Sequence, residues 1–456
     1  MSGMAQRTAS GHVLYRNPAA RLPVVVRGEG VYFWDAEGNR YLDGCSGAVV
    51  VGVGHGRPEV VDAMAAQGHR ISYAHSDHFT SDVQEELAAR LAQLTPGDLD
   101  RFYFVSGGSE ATETALKLAR QYHVLRGRPE KWRVIARRVS YHGNTLGALA
   151  MSGHAARRRP YLPLLADFRH IDGPYPYRCA CRGQDPACPD CTGTALERAI
   201  QEAGPETVAA FIAEPVVGAA GGALVAPRGY FETVREICDR HDVLFIADEV
   251  MTGLARTGRA FGIQHWDAVP DLLVAGKGLA SGYAPLAGVA ATRDVHGLFV
   301  ELEEPFVHGH TYAGHPASCA AGLAVLDIVE REGLIERAAA QGERLAAGLR
   351  DVAGRHPSVG DVRGLGMMRG IELVRDRETK EPFPAEWRAS QRLAALALER
   401  GLAVYPGAGQ VDGVRGDQAL VAPPLVIEDA EVADLLDRLD ASLGALEAEL
   451  SATLEA

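Results

Sequence analysis

Residues 102–105, 208–213, 243–247 and 272–275 are apolar runs with no polar residue interposed, and each ends abruptly. They give way to Ser106-Gly107-Gly108-Ser109, Glu214, Asp248 and Gly276-Lys277 respectively. Strands apolar on both faces belong to parallel sheets covered by helices, and such sheets bind ligands beyond the carboxyl ends of their strands. Four strand ends are thus expected to converge on one crevice. The segments between them have helical periodicity; residues 231–241 set Phe231, Val234, Ile237 and Cys238 on one face. From about Pro58 to Leu326 this alternation predicts a three-layer α/β domain.

The two ends of the chain read differently. Short strand-like pieces at 30–35 and 40–43, separated by Glu37-Gly38-Asn39, predict a small antiparallel unit. Beyond about Asp327 come long helices rich in Ala, Leu, Glu and Arg; the last lines up Val432, Leu435, Leu436, Leu439, Leu443 and Leu446, with acids opposite. The expected organisation is an N-terminal segment of a small domain at 1–60, a large cofactor-binding domain at 61–326 and the C-terminal part of the small domain at 327–456.

The net charge of -13 argues against unaided binding to nucleic acid or an anionic membrane, with Arg157-Arg158-Arg159 as a local exception. There is no apolar run of the ~18 residues that a membrane span needs. Residues 1–18 show no signal-peptide core, so the expected location is the cytoplasm.

Seven cysteines are too few for a disulfide scaffold, yet four cluster in a Pro-rich insertion at about 173–194. Cys179-Ala180-Cys181 and Cys188-Pro189-Asp190-Cys191 match the spacing of a tetrahedral thiolate zinc site, one with no open position for catalysis. Four reduced cysteines in an irregular loop are the alternative.

Lys277 comes 29 residues after Asp248, one strand later. A lysine amine forms a Schiff base with an aldehyde, and a carboxylate at the next strand end holds a pyridine nitrogen protonated; pyridoxal phosphate asks both of a protein. Taken singly, Asp248 reads equally as a helix cap or an ion-pair partner of Arg256, and Lys277 as a solvated loop residue. The turn at Ser106, Gly107, Gly108 and Ser109 opens a helix whose free amides and dipole would meet a phosphate. Tyr141-His142-Gly143 would lay a ring on one cofactor face, with Val250 on the other. His308, His310 and His315 do not have the spacing of a helical metal-ligand pair.

Together these motifs, with Ala213-Glu214-Pro215, Arg256-Thr257-Gly258, Arg363-Gly364-Leu365-Gly366 and the 308–316 segment, resemble in order those of class III pyridoxal-phosphate aminotransferases. The resemblance implies a fold type I architecture, a mainly parallel seven-stranded sheet in a large α/β/α domain with a smaller α+β domain from both chain ends. It further implies a homodimer or tetramer with shared active sites. By similarity Lys277 forms the internal aldimine and moves the proton, Asp248 pairs with the pyridinium, and Glu214 stands near the substrate side. Tyr141 and Val250 are implied as the two faces, Gly108 and Ser109 as phosphate ligands, and Thr311 as a contact to the phosphate of the neighbouring subunit's cofactor.

The implied reaction is ping-pong transfer of an amino group from an amine or omega-amino acid to pyruvate or 2-oxoglutarate. An epimerase or decarboxylase on the same cofactor is the alternative, and a noncatalytic binding protein a more remote one. Many amine-accepting relatives carry an Arg three residues before a Gly-Asp pair to hold the substrate carboxylate; here that position is Gly413, ahead of Gly416-Asp417. Arg415 is either its substitute or a surface ion-pair residue. Omega-type relatives tend to have a large aromatic after Ser-Gly, where this chain has Ala48 and Val49, and Tyr73, His75 and Phe79 are candidates for the entrance.

Overall fold

The structure, a computed structural model, describes residues 12–181 and 183–455. Its central sheet has seven strands in the order Leu99–Val105, Ala287–Thr292, Leu272–Ala275, Leu244–Asp248, Val208–Ala213, Arg133–Arg137 and Arg169–Ile171. The last five run parallel to one another, whereas Ala287–Thr292 is antiparallel to both its neighbours.

Each apolar run feeds two cores. Phe211, Phe245 and Leu273 point into one hydrophobic cluster, while Ile212, Ile246 and Val274 point into the other. This is the period of two expected of a strand, and with helices on both faces it leaves no position where a polar side chain would be wetted. Helix Tyr230–His241 covers one face through Phe231, Val234, Ile237 and Cys238, the expected stripe. Helix Gly108–Leu125 covers the other through Ala111, Ala115, Ala119 and Tyr122, and its three alanines let it lie close to the sheet.

Both chain ends contribute to a four-stranded sheet. Val25–Glu29, Tyr32–Asp35 and Arg40–Asp43 are antiparallel, and Leu402–Ala403 adds parallel to Arg40–Asp43. A second, antiparallel sheet has the order Val359–Leu365, Met368–Leu373, Asp417–Val421 and Tyr405–Ala408. The final helix, Asp429–Glu455, buries Val432, Leu435, Leu439, Leu443 and Leu446, with Leu436 at the margin of the core. Among the described residues no helix is long and apolar enough to cross a membrane.

Candidate active site

Parallel register brings three adjacent strand ends level. Asp248 lies opposite Val274, and Ala247 opposite Ala213. Asp248 closes its strand, Glu214 comes directly after Val208–Ala213, and Lys277 comes two residues after Leu272–Ala275. The three side chains therefore gather at one edge of the sheet.

Asp248 is buried and, among the described residues, caps no helix. Its Oδ2 is 2.7 Å from Nδ1 of His142, and its Oδ1 accepts the Val250 amide at 3.1 Å. The His142 side chain is wholly enclosed and its Nε2 has no hydrogen-bond partner. Arg256 turns elsewhere, donating to the carbonyls of Pro423 at 2.5 Å and Ala422 at 3.3 Å, so the ion pair with Asp248 does not form.

Lys277 keeps some contact with solvent, but the surrounding chain is dense enough that desolvation pushes its amine from 10.5 down to about 8. Asp248 and Glu214 pull the other way, and Arg157 and Arg256 add to the lowering. The residue sits in the left-handed region at φ 43°, as do Ser46 at 51°, Val49 at 58°, Ala255 at 66° and Ser281 at 51°. Such backbone costs about 1–3 kcal/mol per non-glycine residue and concentrates at functional sites. Glu214 is buried, which pushes its carboxyl from 4.5 up to about 7 against the pull of His142 and Arg137. One of its oxygens accepts the Gly218 amide at 3.3 Å and the other has no hydrogen bond.

At the other end of the site the helix begins at Gly108, inside the expected turn, with Gly107 as its cap. The Ser106 amide is spent on Glu110 Oε2 at 2.9 Å, so the free first-turn amides begin beyond it. The Ser109 hydroxyl accepts the Asn144 amide at 2.9 Å, which leaves its own proton to donate. Gly143 has φ 141°, and a Cβ there would stand 2.7 Å from Ser109 Oγ; only glycine lets the 141–143 turn close on the helix start. A Cβ at Gly108 would meet Val250 Cγ1 at 2.8 Å, so this residue too lies against the wall that Val250 forms.

The substrate side is less legible in the sequence. Tyr141 packs with Val217, Ala220 and Leu224, and the Arg157 guanidinium lies 4.2 Å from its ring centroid. Arg157 also reaches the Tyr405 hydroxyl at 3.4 Å. Val49 is buried with Val216 and Met368, beside Met251 and Tyr405, while Ala48 is exposed. Tyr73 lies on the surface against Tyr312, ring centroids 6.3 Å apart; His75, Phe79 and Thr311 are exposed as well. Arg415 stays out of this group: on the surface it pairs with Asp412 at 2.7 Å and Glu381 at 3.2 Å, the ion-pair alternative. Gly413 has φ 85°, and a Cβ there would be 2.9 Å from the Cβ of Ala155. A side chain at 413 would thus press on the short helix Ala155–Arg158, which carries Arg157. Met251 and Tyr405 carry no periodicity or motif that marks them in the sequence, and the run Arg157-Arg158-Arg159 marks Arg157 only as local positive charge.

A helix start with free amides, a buried carboxylate oriented by a histidine, a lysine of lowered basicity and an aromatic ring are what pyridoxal phosphate requires of a protein. Residues 15–443 match the family described as Aminotransferase class-III, and the chain belongs to it. Its architecture is accordingly fold type I, and it is an aminotransferase. An uncharacterized aminotransferase of Bacillus subtilis is 40% identical over 97% of this chain and 99% of its own length. A putrescine–pyruvate aminotransferase of Pseudomonas aeruginosa is 36% identical over 91% of this chain and 88% of its own. The crystal structure of an (S)-enantioselective omega-transaminase from Thermomicrobium roseum superposes with a TM-score of 0.88 at 39% identity, covering 96% of this chain and 97% of that one.

Proposed function

We propose that this aminotransferase moves an amino group from an amine or omega-amino acid to a small 2-oxo acid, pyruvate or 2-oxoglutarate, in two half-reactions. The observation that carries the reading is the alignment of Lys277, Asp248 and Glu214 at three neighbouring strand ends, with His142 fixed on Asp248 at 2.7 Å. Bound pyridoxal phosphate supplies an aldehyde and an electron-withdrawing ring that takes up charge from the carbon losing its proton.

The chain's own residues do the rest. Asp248, its position held by His142 and the Val250 amide, keeps the ring nitrogen protonated. Lys277, neutral above about pH 8, supplies the nucleophile and then the base that carries a proton between carbons. Gly108 and Ser109 hold the phosphate at the helix start, Tyr141 and Val250 enclose the ring, and Glu214 retains a proton close to neutral pH beside them. Arg157 meets a phenol and a ring rather than a carboxylate, and so stands ready for the carboxylate of the 2-oxo acid. The putrescine–pyruvate relative supports an amine donor with a 2-oxo acceptor.

Tyr73, Phe79, Val307 and Tyr312 are large apolar residues left exposed on a single chain, which supports a homodimer with Thr311 reaching the second site.

The test is the visible spectrum of the protein with pyridoxal phosphate, followed through a panel of amines and omega-amino acids, with Lys277→Ala as control. Conversion of the cofactor to its amino form by one donor, absent in the variant, establishes the donor class. Cofactor binding without conversion by any donor moves the reading to an epimerase or decarboxylase.

A further inference from the structure

The insertion between strand Arg169–Ile171 and helix Ala195–Ala203 gathers four thiols that the transamination site does not use. Cys179 Sγ is 3.0 Å from Cys181 Sγ and 3.6 Å from Cys188 Sγ, and Cys181 Sγ is 3.3 Å from Cys191 Sγ. All four sulfurs lie within 4.8 Å of one another, and none is in a disulfide. Cys191 is buried and the others are half-buried. Thiols are weak hydrogen-bond partners and give four side chains from two short motifs little reason to converge. A cation does: sulfurs held tetrahedrally at about 2.3 Å from zinc stand ~3.8 Å apart, within the spread observed here.

We infer that Cys179, Cys181, Cys188 and Cys191 bind one zinc ion in a closed, structural site. Four soft thiolates with no oxygen or nitrogen donor among them favour zinc over hard cations. On metal binding each coordinating thiol gives up its proton to solvent, and no electron is transferred.

The site holds a strap. Arg178, the residue before Cys179, donates to Glu372 at 2.6 Å and to the Lys380 carbonyl at 2.9 Å. Tyr175 donates to the same buried carboxylate at 2.6 Å, and Lys380 returns a bond to the Tyr177 carbonyl at 2.5 Å. Glu372 belongs to strand Met368–Leu373, so the insertion ties the large sheet to the C-terminal one. Tyr175 also packs on the apolar cluster of Val217, Ala220 and Leu224 that backs Tyr141. Zinc therefore fixes a loop that supports one wall of the active site. This inference stands on the thiol geometry and does not depend on which amine is the donor.

The test is the metal content and thiol count of the full-length enzyme purified without chelator or reductant. The expected results are one zinc per chain by plasma mass spectrometry, a melting temperature that falls on removal of the metal and returns with zinc chloride, and all seven thiols titrating after unfolding in chelator. Cys179→Ser/Cys188→Ser should lose the zinc while keeping bound pyridoxal phosphate; if that variant does not fold, the wild-type stoichiometry decides. Iron in place of zinc overturns the assignment. So does a protein that neither carries nor takes up zinc, or one with only three titratable thiols, seven less the four that would be locked in two disulfides.

Discussion

His142 Nδ1 stands 2.7 Å from Asp248 Oδ2 with the imidazole fully enclosed, so the histidine next to Tyr141 is the partner of the carboxylate. The contact fixes where the carboxylate at this strand end points.

Asp248→Asn keeps the shape and removes the charge. A carboxylate about 4 Å from a pyridinium is worth about 4 kcal/mol at an effective dielectric near ~20. The expected loss in kcat/KM is about three orders of magnitude, with the fold intact by circular dichroism. His142→Phe should cost less, about 1–3 kcal/mol, seen as weaker cofactor binding in a fluorescence titration. Equal kcat/KM in wild type and Asp248→Asn would refute the role given to this carboxylate.

With Lys277 as the proposed nucleophile, its amine should set the pH dependence of cofactor capture. In the cofactor-free protein the rate should rise with pH through a midpoint near about 8 instead of 10.5. Arg157 lowers the amine and Glu214 raises it, so Arg157→Ala should move the midpoint up and Glu214→Gln should move it down. Stopped-flow absorbance across pH 6–10 reads both signs, and a midpoint that neither variant moves contradicts the arrangement.

Glu214 also marks stability. Its folded carboxyl titrates near about 7 and its unfolded one near 4.5, so the native state holds a proton that unfolding releases between those values. Stability must then fall as pH rises through that window, by about 3 kcal/mol from this residue. Glu214→Gln should flatten the dependence measured by denaturant unfolding of the cofactor-free protein, while Glu249, also raised to about 7, keeps its own share.

Two arginines separate two readings of the acceptor. Arg157→Ala should raise KM for the 2-oxo acid at least tenfold, since a charge-assisted hydrogen bond is worth about 1.5–3 kcal/mol, and should leave KM for an uncharged amine donor nearly unchanged. Arg415→Ala should change neither by more than about twofold, because exposed ion pairs contribute about 0–1 kcal/mol. The reverse pattern would return the carboxylate site to Arg415.

Gly143→Ala should weaken pyridoxal phosphate binding by about tenfold or more. The new methyl meets Ser109 Oγ at 2.7 Å in a backbone conformation that L side chains rarely adopt, which forces the turn off the helix start. Equilibrium dialysis of the cofactor measures it.

Much of the site is readable in the sequence because its residues come directly after strands buried on both faces. Phe245 and Ile246 serve opposite cores, so the run 243–247 has to be apolar throughout, and the first polar residue after it, Asp248, has to lie at the sheet edge. The same reasoning locates Glu214 and Lys277. Ser106 is less legible: whether an amide is free depends on the rotamer of Glu110, which no pattern encodes.

The sequence by itself determined the class of fold, the strand ends and which residues stand at them, since burial on two faces, helix starts and turn glycines leave local, periodic traces. The tertiary structure alone decided which distant segments meet there. Arg157 and Tyr405 are separated by 248 residues and touch only because the short helix Ala155–Arg158 packs against the loop at Gly413. Arg415 lies two residues from the expected position and is held outside by Asp412 and Glu381. Side-chain direction at such places comes from packing between elements far apart in the chain, and no local periodicity records it.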